Sequence, residues 1–311
     1  SGKANGSEVI VVHWGPAVSK NPYLTFAYNG SKGDKVELTW RDNKGNQDSK
    51  SVEVKYLTMR LFGLIIFLVT FNVGASPEDD QERFWEYFKD RFPDTEYSDY
   101  KNGVYSIDLS SREQWESIED FPPYEINIEQ GEELFNTPFK NGNNYASCFE
   151  NEGIGIRQNY PYFDEDRGEV VTLELAINEC RIKNSEKPYS YYKGGPMADI
   201  SAYMAYTSNG NKIELEIPND EKAMKAYENG KKMYFTKVGQ LNFSCADCHV
   251  YQTGTKLRAD IPSPAIGHTT HFPVYRSSAG RLVTLHERFA GCLNRVRAKP
   301  YKAQGEEYRN L

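Results

Sequence analysis

The segment Cys245-Ala246-Asp247-Cys248-His249 carries the sharpest chemical pattern in the chain. Two cysteines separated by two residues and followed at once by histidine suit covalent haem attachment. The thiols add across the two vinyl groups of the porphyrin, and the imidazole then reaches the iron. Zinc is the competing use, but no second pair of cysteines is present to close a tetrahedral site. A redox CxxC pair would not need His249, and no βαβ pattern surrounds the motif.

The second axial position of such an iron is less obvious. Many cytochromes c use methionine there, yet none follows Met233. The downstream candidates are His268, His271, His286 and Cys292. The stretch Thr284 to Val296 reads as a helix with Leu285, Phe289 and Val296 on one face, which sets Arg288 one turn before Cys292. A neighbouring cation favours thiolate and holds an anionic sulfur substrate. A buried structural cysteine beside a surface arginine explains the same two residues, and on these two residues alone it is the favoured reading.

The elements that must position these residues are helical. Ser76-Pro77 followed by Glu78-Asp79-Asp80 predicts a helix start, and Phe84, Phe88 and Phe92 form a stripe ending before Pro93. Further helices are expected at Val170 to Arg181, at Ala198 to Ser208 (closed by Asn209-Gly210), and from Glu221 to about Phe235 after an Asn219 cap. The loop 211–218 is the expected boundary between two halves. No repeat is visible in the sequence, although both halves could be variants of one small helical fold.

Before Met59 the character is β. Glu8 to Trp14, Tyr23 to Gly30, Lys35 to Trp40 and Ser51 to Tyr56 are short runs rich in Val, Tyr, Phe and Thr, separated by turn residues. Alternation over Lys35 to Trp40 predicts one buried face. Four strands make half a sandwich, and Ser1 is not an initiator, so this piece is expected to lack its beginning. Between the two parts, Met59-Arg60, the apolar run Leu61 to Phe71 and Val73-Gly74-Ala75 have the layout of a secretory signal peptide. The run is too short to span a membrane, so no stable membrane anchor is expected; a buried core strand or helix is the plainer alternative.

The 311 residues allow two or three domains. A net charge of −7 argues against a nucleic-acid surface. All five cysteines, Cys148, Cys180, Cys245, Cys248 and Cys292, follow the apolar run, and an odd count in an exported chain leaves one thiol needing its own explanation.

Two resemblances organise these readings. His13 to Ser49, above all His13-Trp14-Gly15-Pro16-Ala17-Val18-Ser19-Lys20-Asn21-Pro22, closely resembles the C-terminal half of the SoxZ family, small immunoglobulin-like proteins of the thiosulfate-oxidising Sox system. From about Glu82 onward the chain resembles the SoxA family. The segments that carry this are Asn159 to Arg181, Gly239 to His249, Ser263 to Arg276 and Leu285 to Cys292. Leu57-Thr58 then spans a junction, Met59 is the SoxA-like start, and a read-through or frame error is the expected origin of the joined chain. The end at Asn310-Leu311 is likewise expected to be cut short.

The SoxA resemblance implies two cytochrome-c-like domains, mainly α, preceded by a partial immunoglobulin-like β-sandwich. The implied division is a SoxZ-like piece at 1–57, a signal peptide at 59–75, a first domain at 76–215 and a haem c domain at 216–311. It implies that Cys292 is both the distal haem ligand and the sulfur-carrying residue, and that Arg288 is the active-site arginine. Cys245, Cys248 and His249 would hold the haem, with His249 and Cys292 on the iron. Where diheme members carry a second CxxCH, this chain has Tyr145-Ala146-Ser147-Cys148-Phe149, so the first domain is expected to be haem-free. A Cys148–Cys180 disulfide is then the economical reading in an oxidising compartment.

The implied activity is that of a periplasmic L-cysteine S-thiosulfotransferase. Thiosulfate would be joined oxidatively to a SoxY cysteine of the SoxYZ carrier, with a SoxX-like subunit as partner and a cytochrome c taking the electrons. A plain electron-transfer cytochrome is the rival; it shares the CxxCH motif but does not need Arg288 beside a free Cys292. A SoxY-binding fusion with a functional N-terminal piece is a third reading.

Overall fold

Strand-forming and helix-forming residues segregate into two units, Ser1–Phe71 and Asn72–Leu311. The computed structural model describes residues 1–12, 31, 33–41, 44–54, 76–257 and 260–311. The strand expected at Tyr23 to Gly30, the SoxZ-like signature at His13 to Pro22 and the signal-like segment 59–75 lie outside the described residues.

In the first unit β1 (Gly2–Ala4), β2 (Ser7–Ile10), β3 (Lys35–Arg41) and β4 (Gln47–Glu53) form an antiparallel sheet in the order β2-β1-β3-β4. The β1–β2 hairpin turns on Asn5 (φ 49°) and Gly6 (φ 84°), both left-handed, as a two-residue turn requires. β3 and β4 pair from Lys35↔Glu53 to Arg41↔Gln47, so β4 begins earlier than the sequence suggested. The expected buried face stands open: Leu38 is 41%, Trp40 51% and Val52 60% exposed.

The second unit is mostly helical. α1 (Pro77–Arg91) starts where predicted, with a reciprocal capping box between Ser76 and Asp79, and buries Phe88 completely. α2 (Leu109–Glu119) and α3 (Glu125–Asn136) follow. β5 (Tyr162–Asp164) and β6 (Glu169–Val171) then form a hairpin before α4 (Leu173–Lys183). The helix expected from Val170 therefore begins later. Val170 and Val171 pair with Phe163 and Tyr162, and the Thr172 hydroxyl caps the helix by accepting from the Leu175 N–H.

α5 (Pro196–Thr207) and α6 (Glu221–Phe235) match expectation, except that Asp220 rather than Asn219 caps α6, its carboxylate accepting from Lys222 and Ala223. β7 (Val274–Arg276), β8 (Arg281–Val283), α7 (Leu285–Arg295) and α8 (Glu306–Asn310) complete the unit. Val296 lies just past α7 as its C-cap.

The structure reveals a repeat that the sequence hides. Each half runs helix, loop, two-stranded hairpin, Thr-capped helix, then a closing helix: α3, β5–β6, α4 and α5, then α6, β7–β8, α7 and α8. Thr284 caps α7 through Glu287 as Thr172 caps α4, and Cys292 occupies the place in α7 that Cys180 occupies in α4. The first helix of each half crosses its closing helix at a glycine. A Cβ on Gly131 would lie 2.1 Å from the Asp199 carbonyl oxygen, and one on Gly230 1.7 Å from that of Asn310. Only glycine permits such an approach.

The two halves differ in their interiors. The first is closed by Phe135, Tyr145, Ile177, Met197, Ile200 and Met204, each nearly fully buried and each contributing about 1.5–3 kcal/mol. The second borders a large open cavity that residues of α1, α2, α3 and α5 also line.

Candidate active site

Ser244 and Asp247 build the start of the motif that carries the two adjacent thiols. The Ser244 N–H and hydroxyl both donate to the Asp247 carboxylate (2.8 and 2.9 Å), and the Asp247 N–H donates back to the Ser244 hydroxyl at 3.0 Å. This box launches a short helical segment that widens to a π turn over Asp247–Tyr251, a distortion common at functional sites. Backbone ties hold it in place. Tyr87 donates to the Val250 carbonyl at 3.1 Å, Arg91 to that of Thr253 at 2.8 Å, and the Ala265 N–H to that of His249 at 3.0 Å. α1 thus braces the CxxCH turn across a long sequence separation.

Cys245, Cys248, His249, Arg288 and Cys292 all line one cavity of about 3170 Å³. Ordinary small-molecule sites measure roughly 300–1,000 Å³, so a porphyrin is well within its capacity. All three thiols are unpaired. Burial pushes the Cys245 thiol up to about 12, with Cys292 and Cys248 adding to the rise. Burial raises Cys248 as well, while Arg288 pulls it the other way.

The donor set fits a haem. His249 Nδ1 lies 2.9 Å from the Ser263 carbonyl oxygen. A carbonyl only accepts, so Nδ1 carries the proton and Nε2 keeps its lone pair for a metal. Burial holds the His249 pKa below its usual value, which favours that neutral ring. The Tyr234 hydroxyl, on the cavity wall, is buried without a partner; burial and then the three cysteines push its pKa up. Among the described residues no three His, Cys, Asp or Glu side chains converge on a point fit for a bare metal ion.

Of the rival histidines, His268 and His271 line the same cavity and His286 does not. The His268 ring stands 4.3 Å from that of His249 and nearly perpendicular to it, and its Nε2 is 2.9 Å from the Ser263 hydroxyl. Imidazole nitrogens on opposite sides of one metal are about 4 Å apart, with their rings further still, so His268 flanks His249 rather than opposing it. His271 stacks on Phe272 at 5.1 Å. His286 is buried against Phe289 and Tyr308 behind α7. In the first half a disulfide joins Cys148 to Cys180, with Cα atoms 5.8 Å apart.

Sequence reasoning missed Ser263 and Arg276. Ser263 meets His249 through a backbone carbonyl, which leaves no signal in residue type. Arg276 ends β7 and lines the same cavity.

Comparison with known proteins shows what the chain is similar to. The family model described as SoxA/TsdA, cytochrome c domain, matches residues 130–213, and that of Sulphur oxidation protein SoxZ matches residues 1–53. The L-cysteine S-thiosulfotransferase subunit SoxA of Allochromatium vinosum is 55% identical over 253 residues, 80% of this chain and 89% of that protein. The subunit of the same name from Chlorobaculum tepidum is 52% identical over 240 residues, covering 77% and 83%. The crystal structure of SoxXA from P. pantotrophus matches with a TM-score of 0.55 at 29% identity, over 61% of this chain and 72% of that one. The chain, beyond its SoxZ-like N-terminal unit, belongs to the SoxA family of L-cysteine S-thiosulfotransferase subunits.

Proposed function

We propose that this sulfur-transferring enzyme holds one covalent haem c on Cys245, Cys248 and His249, with Cys292 as distal ligand and sulfur carrier and Arg288 as the anion-orienting group. The observation that carries the reading is the sharing of one cavity by a CxxCH motif, a free Cys292 and an Arg288 without a side-chain partner among the described residues. α7 holds the last two on adjacent turns.

When bound, haem c supplies a one-electron redox centre. The side chains do the rest. Arg288 positions the thiosulfate dianion and Cys292 receives or activates its sulfur. The net reaction joins the outer sulfur of thiosulfate to a SoxY thiol, forming one S–S bond and releasing one proton and two electrons. A cytochrome c is the proposed acceptor, and SoxYZ the carrier.

The first half is proposed to be haem-free. The Cys148–Cys180 disulfide ties α4 to the loop after α3, and packed aromatics fill the interior. The proposed boundary between 76–215 and 216–311 falls in the extended segment between α5 and α6, and α1 bonds to the second half across it. A SoxX-like subunit is the proposed partner, in keeping with the solved SoxXA relative. Among the described residues no helix is long and apolar enough to cross a membrane, and the proposed location is the periplasm.

Cys292→Ala tests the assignment. Haem should remain attached while its spectrum changes, and thiosulfate-dependent modification of SoxY, read by mass spectrometry with SoxX present, should disappear. Arg288→Ala should keep the spectrum and slow transfer about ten- to a hundredfold, the loss of one charge-assisted contact in the transition state. Undiminished transfer by Cys292→Ala would leave only electron carriage.

A further inference from the structure

Arg276, Arg281, Arg288 and Arg295 cluster in the hairpin and helix around Cys292, and two of them are committed. Arg281 holds both oxygens of Glu287, at 2.9 and 2.5 Å, and Arg295 bonds Asp260 at 3.0 Å. The guanidiniums of Arg276 and Arg288 have no hydrogen bond or ion pair among the described residues, yet both line the Cys292 cavity. Arg276 is half-buried at the end of β7. An arginine drawn that far out of water ordinarily has a carboxylate beside it. Arg276 has no carboxylate in hydrogen-bond or ion-pair contact among the described residues; burial and then the like charges of Arg288 and Arg295 lower its pKa, against the weaker opposing pull of Asp260, which Arg295 holds, and of Cys292.

The repeat supplies an independent observation. In the first half the place of Arg276 is taken by Asp164, which accepts the Arg167 N–H in the hairpin turn, and that of Arg288 by Ala176. The counterpart of Cys292, Cys180, is closed in a disulfide. Both unpartnered cations therefore occur only in the half whose cysteine is free. A packing role for Arg276 does not explain that coincidence, since the β5–β6 hairpin forms with aspartate at the same position.

We propose that Arg276 is the second guanidinium of a two-point clamp that, with Arg288, seats a doubly charged sulfur oxyanion beside the Cys292 sulfur. This rests on the assignment of Cys292 and Arg288 above and adds a specificity residue to it. Two planar forks match the several oxygens of a tetrahedral oxyanion, and two positive charges balance a dianion. A monoanion gains full compensation from one arginine alone, so the pair selects for charge.

The test uses haem-loaded protein with its SoxX-like partner. Arg276→Gln should raise the thiosulfate KM about ten- to a hundredfold, the loss of one charge-assisted contact, while kcat shifts by about twofold or less. Arg276→Lys should recover part of the loss, and the haem spectrum and melting temperature should stay with the parent. Calorimetric binding of thiosulfate to Cys292→Ala, with and without Arg276→Gln, reads the clamp apart from turnover. An unchanged KM in Arg276→Gln, with transfer intact, overturns the clamp and spares the assignment of Cys292. Arg276-dependent binding to Cys292→Ala, where the parent protein itself transfers no sulfur, supports the clamp and overturns the transfer reading. A loss accompanied by a lower melting temperature and an altered spectrum marks Arg276 as structural and also overturns the clamp.

Discussion

Replacing Gly230 by alanine sets helix propensity against packing, and the two demand opposite signs. In an isolated helix the change is worth about 1 kcal/mol of stabilisation. In α6 the new Cβ would stand 1.7 Å from the Asn310 carbonyl oxygen and 3.3 Å from the Leu311 nitrogen. Both are backbone atoms, so neither can rotate away and α8 must retreat by more than an ångström. Overpacking costs about 1–3 kcal/mol in general. Retreat also loosens Tyr308, which α8 buries completely against His286 and Phe289, a contact worth a further 1.5–3 kcal/mol or so if lost outright.

With partial relaxation the expected net loss is about 2–4 kcal/mol, a fall in melting temperature of roughly 5–15 °C for a unit of this size. Thermal unfolding of the haem-loaded protein, followed by haem absorbance and by far-ultraviolet circular dichroism, measures it. Gly131→Ala should behave alike, because its Cβ would meet the Asp199 carbonyl oxygen at 2.1 Å. A melting temperature that stays level or rises in Gly230→Ala would refute the argument. Helix propensity would then outweigh the crossing, and the matched glycines would not be the contact that closes each half.

Two further outcomes are expected. Cys148→Ser with Cys180→Ser should lower stability by about 3–4 kcal/mol, as loop closure over 32 residues predicts, while haem per chain stays at the parental value; haem loss from the double variant would contradict a haem-free first half. Burial alone would raise the Glu287 carboxyl, but bonds from Arg281 and the Lys193 N–H prevail and hold it below its ordinary 4.5. A carboxyl depressed in the folded state stabilises above its unfolded value and loses that contribution as pH falls through the folded one. Urea midpoints of the parent should therefore drop more steeply than those of Glu287→Gln below about pH 4.5, and parallel curves would refute the pairing.

What was legible in the sequence was local. Ser76, Asp79 and the Phe84–Phe88 spacing announce α1 because a helix start is written within one turn. Val170 was misread because its partner Phe163 lies across a hairpin, and pairing outranks helical periodicity there. The open face of Leu38, Trp40 and Val52 shows the limit of alternation, which marks a face without saying what covers it. At the site, the CxxCH motif was readable because its residues are contiguous. On spacing Cys292 and Arg288 read more readily as structural, and only the resemblance singled them out. Arg276 was invisible, since its distinction is the lack of a directly bonded carboxylate among the described residues, which only a folded chain can reveal.

The repeat carries this argument furthest. One scaffold, a glycine-crossed helix, a hairpin and a Thr-capped helix, puts a cysteine at the same place in both halves. In the first, that sulfur meets Cys148, the hairpin ends on Asp164, and aromatics occupy the interior. In the second, the sulfur is free, the hairpin ends on Arg276, and the interior is open toward His249. The backbone fixes where a sulfur stands, and its neighbours decide what it does, so the chemistry follows from a few side chains on a shared frame. Divergence at the core positions and the hairpin ends is also why no repeat was visible by eye. The positions that changed are those that distinguish a sealed half from a reactive one, while the conserved ones, Gly131 and Gly230 or Thr172 and Thr284, are too sparse to register in a linear reading.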